Sequence, residues 1–276
     1  MSKIICNICP HHCNLNEGQT GLCRARKNIN GEITAINYGQ LTALALDPIE
    51  KKPLNRFYPG SNILSVGSFG CNLKCLFCQN YHISMASKNE VKTQFVKPEE
   101  LTNIALDLKD RKNIGIAYTY NEPLVGYEYV LDCAKLARDK NLKNVIVTNG
   151  CFCEEPMKEL LPFIDALNID LKGFTHEFYK KIGGDLDTVK NFIKLAAKHC
   201  HVEITTLIIP GENDTEDEIR ELSEFIFSVS PEIPLHVSRF FPCYKMLDKR
   251  PTDVKKVYDL ANIAREKLKY VYEGNC

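Results

Sequence analysis

The sequence lacks a net charge, a long apolar run and space for a leader ahead of its first cysteine. Its 35 lysines and arginines balance 35 aspartates and glutamates, so the total charge gives no evidence for a nucleic-acid or membrane partner. No stretch approaches the ~18 consecutive apolar residues of a membrane span. The first cysteine is residue 6, which leaves no space for the charged and apolar regions of a secretory signal peptide. We therefore expect a cytoplasmic protein.

Internal repeats, low-complexity tracts and long charge blocks are absent as well, and the 276 residues suffice for one large α/β domain with a small appendage. Residues 1–60 are rich in Gly, Asn, Pro and Cys, and they predict a small metal-stapled module with an irregular wrap. Over residues 61–276, apolar runs alternate with amphipathic stretches. This alternation predicts a parallel sheet, either open and doubly wound or curled into a partial barrel. The predicted strands are 63–66, 114–118, 144–148, 166–170, 202–209 and 235–240.

Cysteine, in contrast, is abundant. The chain has 13 cysteines, and in a reducing compartment that number favours metal ligation over a disulfide framework. Two groups stand close together in the sequence, and the remaining cysteines are scattered. The groups are Cys6, Cys9, Cys13 and Cys23, then Cys71, Cys75 and Cys78.

The second group follows the first predicted strand with the spacing C-x3-C-x2-C, and Phe77 precedes its last cysteine. Three thiolates on one short loop hold three irons of a cubane iron–sulfur cluster and leave the fourth iron open to a substrate or cofactor. The alternative is a zinc site whose fourth ligand lies elsewhere, although zinc sites more often pair their cysteines as C-x2-C twice. We predict a cluster at Cys71, Cys75 and Cys78.

This pattern resembles the signature of the radical S-adenosylmethionine (SAM) superfamily. Further segments resemble the AmmeMemoRadiSam system radical SAM enzymes, a group similar to pyruvate formate-lyase activating enzyme. The resemblance implies a partial (β/α)6 radical SAM barrel, a [4Fe–4S] cluster at its mouth, and SAM chelating the open iron. The segments that carry it are 9–13, 46–54, 59–61, 78–80 and 236–242.

The resemblance also implies where SAM binds. Tyr120, Asn121 and Glu122 stand before Pro123 and resemble the Gly-Gly-Glu-Pro element of the family. Backbone carbonyls of that element accept from the SAM ammonium, and the glutamate braces the turn. The alternative is a strand-ending turn with a helix-starting proline.

Thr148 and Asn149 follow the third predicted strand, where their side chains can reach the ribose hydroxyls or the methionine carboxylate. The alternative is an ordinary turn, because Asn-Gly is a frequent turn pair.

Asp170 and Lys172 end the fourth predicted strand, and alternation places them on one face. The resemblance implies that both bind SAM and that Asp170 joins a monovalent-cation site. A structural ion pair is the alternative.

Arg239 is a candidate anchor for an anionic group of SAM or substrate. His236 and Arg239 are three positions apart and point to opposite faces of a strand, so only one of them faces the barrel interior.

The first cysteine group, Cys6, Cys9, Cys13 and Cys23, supplies four thiolates within 18 positions. That number closes a tetrahedral site without an open position. We predict a second metal site there, holding either zinc or an auxiliary iron–sulfur cluster, because a short loop-rich segment has little core of its own. His11 or His12 could replace one thiolate.

The predicted function is that of an oxidoreductase that cleaves SAM reductively to a 5′-deoxyadenosyl radical and abstracts a hydrogen atom from an unidentified substrate. One alternative is an activase that installs a glycyl radical on a partner enzyme, and another modifies a small molecule, peptide or RNA. A zinc-binding protein without turnover is the alternative from a different class. The expected electron donor is of the flavodoxin or ferredoxin type. A protein substrate and Memo-like or AMMECR-like proteins are further candidate partners.

Overall fold

A computed structural model describes residues 3–276, which contain fourteen strands and eight helices. The strands, in chain order, are β1 (Ile4–Ile5), β2 (Asn14–Leu15), β3 (Arg26–Ile29), β4 (Glu32–Ala35), β5 (Gln40–Leu41), β6 (Ala43–Pro48), β7 (Asn62–Gly67), β8 (Gln94–Phe95), β9 (Asn113–Tyr118), β10 (Lys143–Thr148), β11 (Ala166–Asp170), β12 (His201–Ile208), β13 (Leu235–Arg239) and β14 (Val271–Gly274). The helices are α1 (Tyr81–Ser84), α2 (Pro98–Asp107), α3 (Tyr127–Asp139), α4 (Glu154–Leu160), α5 (His176–Ile182), α6 (Leu186–Ala196), α7 (Glu216–Val229) and α8 (Val254–Arg265).

The main sheet has eight strands in the order β14-β13-β12-β11-β10-β9-β7-β6. From β7 to β14 every neighbouring pair is parallel, and only β6 runs antiparallel, against β7. The six predicted strands correspond to β7 and β9–β13. Both edge strands, β6 and β14, were missing from the prediction, and β6 lies before residue 61.

Amphipathic helices cover the sheet, and two of them begin at residues that favour the first turn of a helix. Pro98 occupies the first turn of α2, where its missing N–H costs no hydrogen bond. The Thr215 hydroxyl caps α7 by accepting from the Glu218 backbone N–H at 3.3 Å. The Glu218 carboxylate does not return to Thr215 but accepts from the Phe174 N–H at 2.6 Å, so it fixes the loop after β11 instead.

The segment 49–57, which we call the floor segment, closes the inside of the curved sheet. Its apolar side chains pack on inward-facing residues of β7, β9, β10 and β11 in a separate core cluster. The fully buried Glu203 carboxylate in β12 accepts from the backbone N–H groups of Asn55 and Arg56 at 3.0 and 2.8 Å. It also lies 2.9 and 2.7 Å from the ring nitrogens of His201 and His236. The floor segment is therefore attached to β12, on the far side of the barrel, by a buried carboxylate that has hydrogen-bond partners at both oxygens.

Residues ahead of β5 form a small module of two hairpins, β1 with β2 and β3 with β4. Within residues 3–276, no helix is both long and apolar enough to cross a membrane.

Candidate active site at the barrel mouth

A cavity of about 640 Å³ opens where the parallel strands end. Its lining includes residues that follow β6 and residues of β14. These are the two edge strands of the sheet, so the sheet curls around the cavity. The candidate site residues on its wall are Cys71, Cys75, Cys78, Tyr120, Asn121, Glu122, Thr148, Asn149, Asp170 and Lys172.

The cysteine loop after β7 is held from behind by the N-terminal module and from the side by α5. The Cys71 N–H donates to the Cys23 carbonyl at 3.1 Å, and the Lys74 N–H donates to the Ile182 carbonyl at 2.8 Å. Gly70 has φ +90, and a Cβ at this position would lie 2.5 Å from the Cys23 carbonyl oxygen. Only glycine meets both conditions, so this residue lets the loop approach the module.

The three thiols of the loop line one cavity, and three thiolates on one loop are the ligand set of a cubane cluster with an open iron. Cys75 is buried, and Cys71 and Cys78 are partly buried, with no disulfide at any of the three. Burial raises the pKa of each thiol, that of Cys75 to about 11, so cluster binding would release protons from this loop. Lys172 acts in the opposite direction on the pKa of Cys75 and Cys78, which favours thiolate there.

Glu122 is an internal brace. Its carboxylate accepts from the Leu124 N–H at 3.1 Å, the Thr148 hydroxyl at 2.8 Å and the Asn149 N–H at 2.8 Å. Burial raises the pKa of Glu122 to about 7, although the hydrogen bonds from Asn149 and Leu124 oppose that change. The carboxylate therefore joins the ends of β9 and β10, as the family resemblance implies for the glutamate of this element.

Asn121 and Asn149 fix the cysteine loop with their side-chain amides. Asn121 accepts from the Ser68 N–H at 2.9 Å and donates to the Gly70 carbonyl at 3.0 Å. Asn149 donates to the Asn72 side-chain oxygen at 2.8 Å and accepts from the Cys151 N–H at 2.9 Å. Both amides make their hydrogen bonds within the protein, where they hold the cysteine loop in place.

Tyr120 has φ +72, a left-handed conformation at the position where the resembling element has glycine. Its hydroxyl donates to the Asp47 carboxylate at 2.7 Å, and Lys52 donates to the same oxygen at 2.8 Å. A Cβ at Gly67 would lie 2.9 Å from the Tyr120 ring, so the ring occupies space left by that glycine. These contacts offset the conformational cost of a tyrosine at this turn.

Asp170 and Lys172 form an ion pair of 2.7 Å on the cavity wall, and their side chains are 32% and 17% exposed. Burial alone would lower the pKa of Lys172, but the Asp170 carboxylate and the Cys75 thiolate outweigh it and raise that pKa. An ammonium at this position is available to a carboxylate of a ligand as well as to Asp170.

Arg239 is not among the residues that line the cavity, whereas His236 is. The Arg239 guanidinium donates to the Thr252 carbonyl at 2.7 Å and lies over the Phe241 ring. This agrees with the expectation that only one of the two faces the interior. A contact between Arg239 and an anionic group of SAM or substrate stays a prediction.

Three residues of the site were not predicted. Asn72 connects the cysteine loop to Asn149 and, through its own amide, to the Cys151 carbonyl at 2.8 Å. Asp47 and Lys52 lie in the segment 46–54 that carried the family resemblance, but nothing in the sequence indicated their contact with Tyr120.

The comparison with protein families decides the assignment of the chain. A model described as the radical SAM superfamily matches residues 65–226, more than half of the chain. The chain belongs to the radical SAM superfamily. An uncharacterised protein of Methanocaldococcus jannaschii is 44% identical over 279 residues, which cover 99% of this chain and 82% of that protein. The pyruvate formate-lyase-activating enzyme of Clostridium pasteurianum is 28% identical over 184 residues, which cover 62% of this chain and 72% of that enzyme.

Solved structures agree on the radical SAM fold. Streptococcus suis SuiB bound to S-adenosylmethionine superimposes with a TM-score of 0.61 at 16% identity, over 78% of this chain and 52% of that one. A domain of pyruvate-formate lyase-activating enzyme from Bacteroides vulgatus gives a TM-score of 0.52 at 18% identity, over 58% of this chain and 99% of that one. The predicted α/β partial barrel is confirmed.

Membership in the radical SAM superfamily confirms the predicted enzyme class and its two cofactors, a [4Fe–4S] cluster and SAM. The finer assignment to the AmmeMemoRadiSam group stays a prediction, as does the monovalent cation near Asp170.

In the N-terminal module, Cys6, Cys9 and Cys23 are buried and Cys13 is partly buried. Across residues 3–276, no group of three or more His, Cys, Asp or Glu side chains is arranged around a single metal ion. The second metal site at Cys6, Cys9, Cys13 and Cys23 therefore stays a prediction, and so does the choice between zinc and an iron–sulfur cluster.

Proposed function

We propose that this protein cleaves SAM reductively at a cluster held by Cys71, Cys75 and Cys78, and that the resulting radical abstracts a hydrogen atom from a substrate in the same cavity. The observation that carries the proposal is that these thiols share one wall with the polar residues at the ends of β9, β10 and β11. When bound, the [4Fe–4S] cluster supplies one electron to the sulfonium, which breaks the S–C5′ bond and yields methionine and the 5′-deoxyadenosyl radical.

The side chains of the chain itself then have separate tasks. The three thiolates bind the cluster, and backbone carbonyls at Tyr120 and Asn121 accept from the methionine ammonium. The Lys172 ammonium orients the methionine carboxylate. Thr148 and Asn149 lie where the ribose would extend. The floor segment excludes water from the lower end of the cavity, which protects a radical from side reactions.

We further propose that residues 1–60 form the N-terminal module and wrap, and that residues 61–276 form the barrel. A donor of the flavodoxin or ferredoxin type would supply the electron. Memo-like and AMMECR-like partners are supported by the group resemblance alone.

A second candidate function is that of a glycyl-radical-enzyme activase with a protein substrate. Its support is the similarity to proteins named for that activity, among them a putative glycyl-radical enzyme activating enzyme of Methanocaldococcus jannaschii, 24% identical over 226 residues. An electron paramagnetic resonance (EPR) signal of a glycyl radical, formed on a co-encoded partner enzyme only when this protein and SAM are present, would favour the activase.

Anaerobic assay with SAM and dithionite tests the main proposal. We expect brown protein that releases 5′-deoxyadenosine, detected by mass spectrometry, and loss of that release when Cys71, Cys75 and Cys78 are all replaced by alanine. Cys200→Ser is the matched control, because the thiol of Cys200 donates to the Ala196 carbonyl and takes no part in the site. Release of 5′-deoxyadenosine by the triple variant would refute the proposal. Colourless wild-type protein that contains zinc would support the non-catalytic alternative.

A further inference from the structure

The N-terminal module has little regular secondary structure. Its strands β1 and β2 have two residues each, and β3 and β4 have four each. Yet Cys6, Cys9 and Cys23 are only 6%, 5% and 6% exposed. Segments this small generally need a metal, a disulfide or a partner to fold, and no disulfide joins the cysteines of residues 3–276.

The four thiols of the module lie on neighbouring pieces of backbone. The Cys6 N–H donates to the Cys13 carbonyl at 2.9 Å, which places these two residues across the first hairpin. The Cys9 carbonyl accepts from the His12 N–H at 3.2 Å, so a turn brings Cys9 back toward Cys13. Cys6, Cys9 and Cys23 lie in the same buried core cluster, and Cys13 packs against it. A Cβ at Gly21 would lie 3.5 Å from the Cys13 sulfur, so the chain leading to Cys23 passes directly beside Cys13. Soft thiolates are the ligand type that zinc and iron–sulfur clusters use.

This thiol group lies directly behind the cysteine loop of the active site. The Cys23 carbonyl accepts from the Cys71 N–H at 3.1 Å. His11, between Cys9 and Cys13, places its Nε2 2.8 Å from the Asn72 carbonyl oxygen, which can only accept a hydrogen bond. The module therefore contacts the active-site loop at two consecutive residues. One contact comes from Cys23, a thiol ligand candidate, and the other from His11, two positions from both Cys9 and Cys13.

We propose that Cys6, Cys9, Cys13 and Cys23 bind a second thiolate-held metal centre, and that this centre positions the cysteine loop of the active site through Cys23 and His11. Binding of the metal orders the module, and the ordered module fixes the backbone of Cys71 and Asn72 before SAM arrives. The positioning role rests on the proposed function of that loop, whereas the metal site itself does not.

Cys151 is a matched control, because it is buried in the same core cluster as Cys9 but belongs to the loop after β10, outside the module. A metal site made by the module alone therefore tolerates Cys151→Ser, and a site that uses the loop after β10 does not.

The metal is tested in a full-length variant in which Cys71, Cys75 and Cys78 are alanine, so that the active-site cluster is removed. We expect about one metal centre per chain, measured as zinc or as iron with acid-labile sulfide. Adding Cys9→Ser or Cys13→Ser should abolish it, and adding Cys151→Ser should not. Absence of both metals from the starting variant, or loss on Cys151→Ser with retention on Cys13→Ser, would overturn the proposed ligand set. Circular dichroism checks that each chain is folded.

The positioning role is tested in the same background by hydrogen–deuterium exchange. Loss of the metal through Cys9→Ser should speed amide exchange in peptides that cover residues 70–75, while peptides of α7 stay unchanged. His11→Ala should speed exchange there too, whereas His12→Ala, at the exposed neighbouring position, should not. Metal loss with unchanged exchange at residues 70–75 would refute the positioning role and leave the metal site standing. Because neither readout needs the active-site cluster, failure here is distinct from failure of the proposed function.

Discussion

The polar side chains at the ends of β9 and β10 differ from those at the end of β11 in their hydrogen-bond partners. Glu122, Asn121 and Asn149 make hydrogen bonds to the chain itself, mostly to backbone groups. Asp170 and Lys172 line the same cavity, and their side chains make one ion pair with each other. Residues of both regions were predicted from the sequence to bind SAM.

This difference distinguishes residues that support the site from residues that can contact a ligand. A buried group with all its hydrogen bonds made has little free energy to gain from a ligand, whereas a partly exposed ion pair can exchange one partner for another. We therefore expect the β9–β10 side to support the cysteine loop and the β11 side to make the direct charge contact with SAM.

The largest expected effect that tests this comparison is a loss of stability on the β9–β10 side. Glu122→Ala leaves two backbone N–H groups and a hydroxyl without their acceptor, so we expect the free energy of unfolding to fall by about 3 kcal/mol. Urea unfolding measures it. Glu218→Ala is the control, because that buried carboxylate accepts a hydrogen bond from a single backbone N–H, that of Phe174, and should cost less. Unchanged stability with weakened SAM binding would instead make Glu122 a ligand contact.

On the ligand side, Lys172→Met should weaken SAM binding by roughly 1–3 kcal/mol, the range of a charge-assisted hydrogen bond, with cluster content unchanged. Titration calorimetry on the anaerobic, cluster-loaded variant measures it. Lys143→Met is the matched control, since Lys143 forms a 2.8 Å ion pair with Asp165 outside the cavity lining. If SAM affinity is unchanged and only the melting temperature falls, the pair at β11 is structural and the contrast between the two sides disappears.

The smallest expected effect is a pH dependence of the free energy of unfolding, which the β9–β10 side should show and the β11 side should not. The folded pKa of Glu122 is raised by burial from 4.5 to about 7, so the folded state holds this proton over a range in which the unfolded state has lost it. Stability from this group is complete below the unfolded pKa and is lost as pH rises through about 7. Between about pH 6 and 8 the loss should be about 1 kcal/mol, and Glu122→Gln should remove it. Equal slopes in wild type and Glu122→Gln would refute this assignment.

Much of the architecture follows from local pattern. Apolar runs alternate with amphipathic stretches because each strand of a covered parallel sheet is buried on both faces. Pro98 and Thr215 mark helix starts through backbone chemistry that acts within one turn. The edge strands β6 and β14 were not predicted, because an edge strand has fewer buried neighbours and so a weaker apolar pattern.

The cysteine spacing by itself determined that three thiolates share one short loop, and the surrounding motifs determined the superfamily. Only the tertiary structure showed which groups the other site residues contact. Asn149 was predicted to reach SAM from its place after a strand, and Glu122 was predicted to brace its turn. Both make hydrogen bonds to groups on another strand or on the cysteine loop. Such partners lie far away in sequence, and position along the chain therefore cannot distinguish a side chain that meets a ligand from one that supports its neighbour.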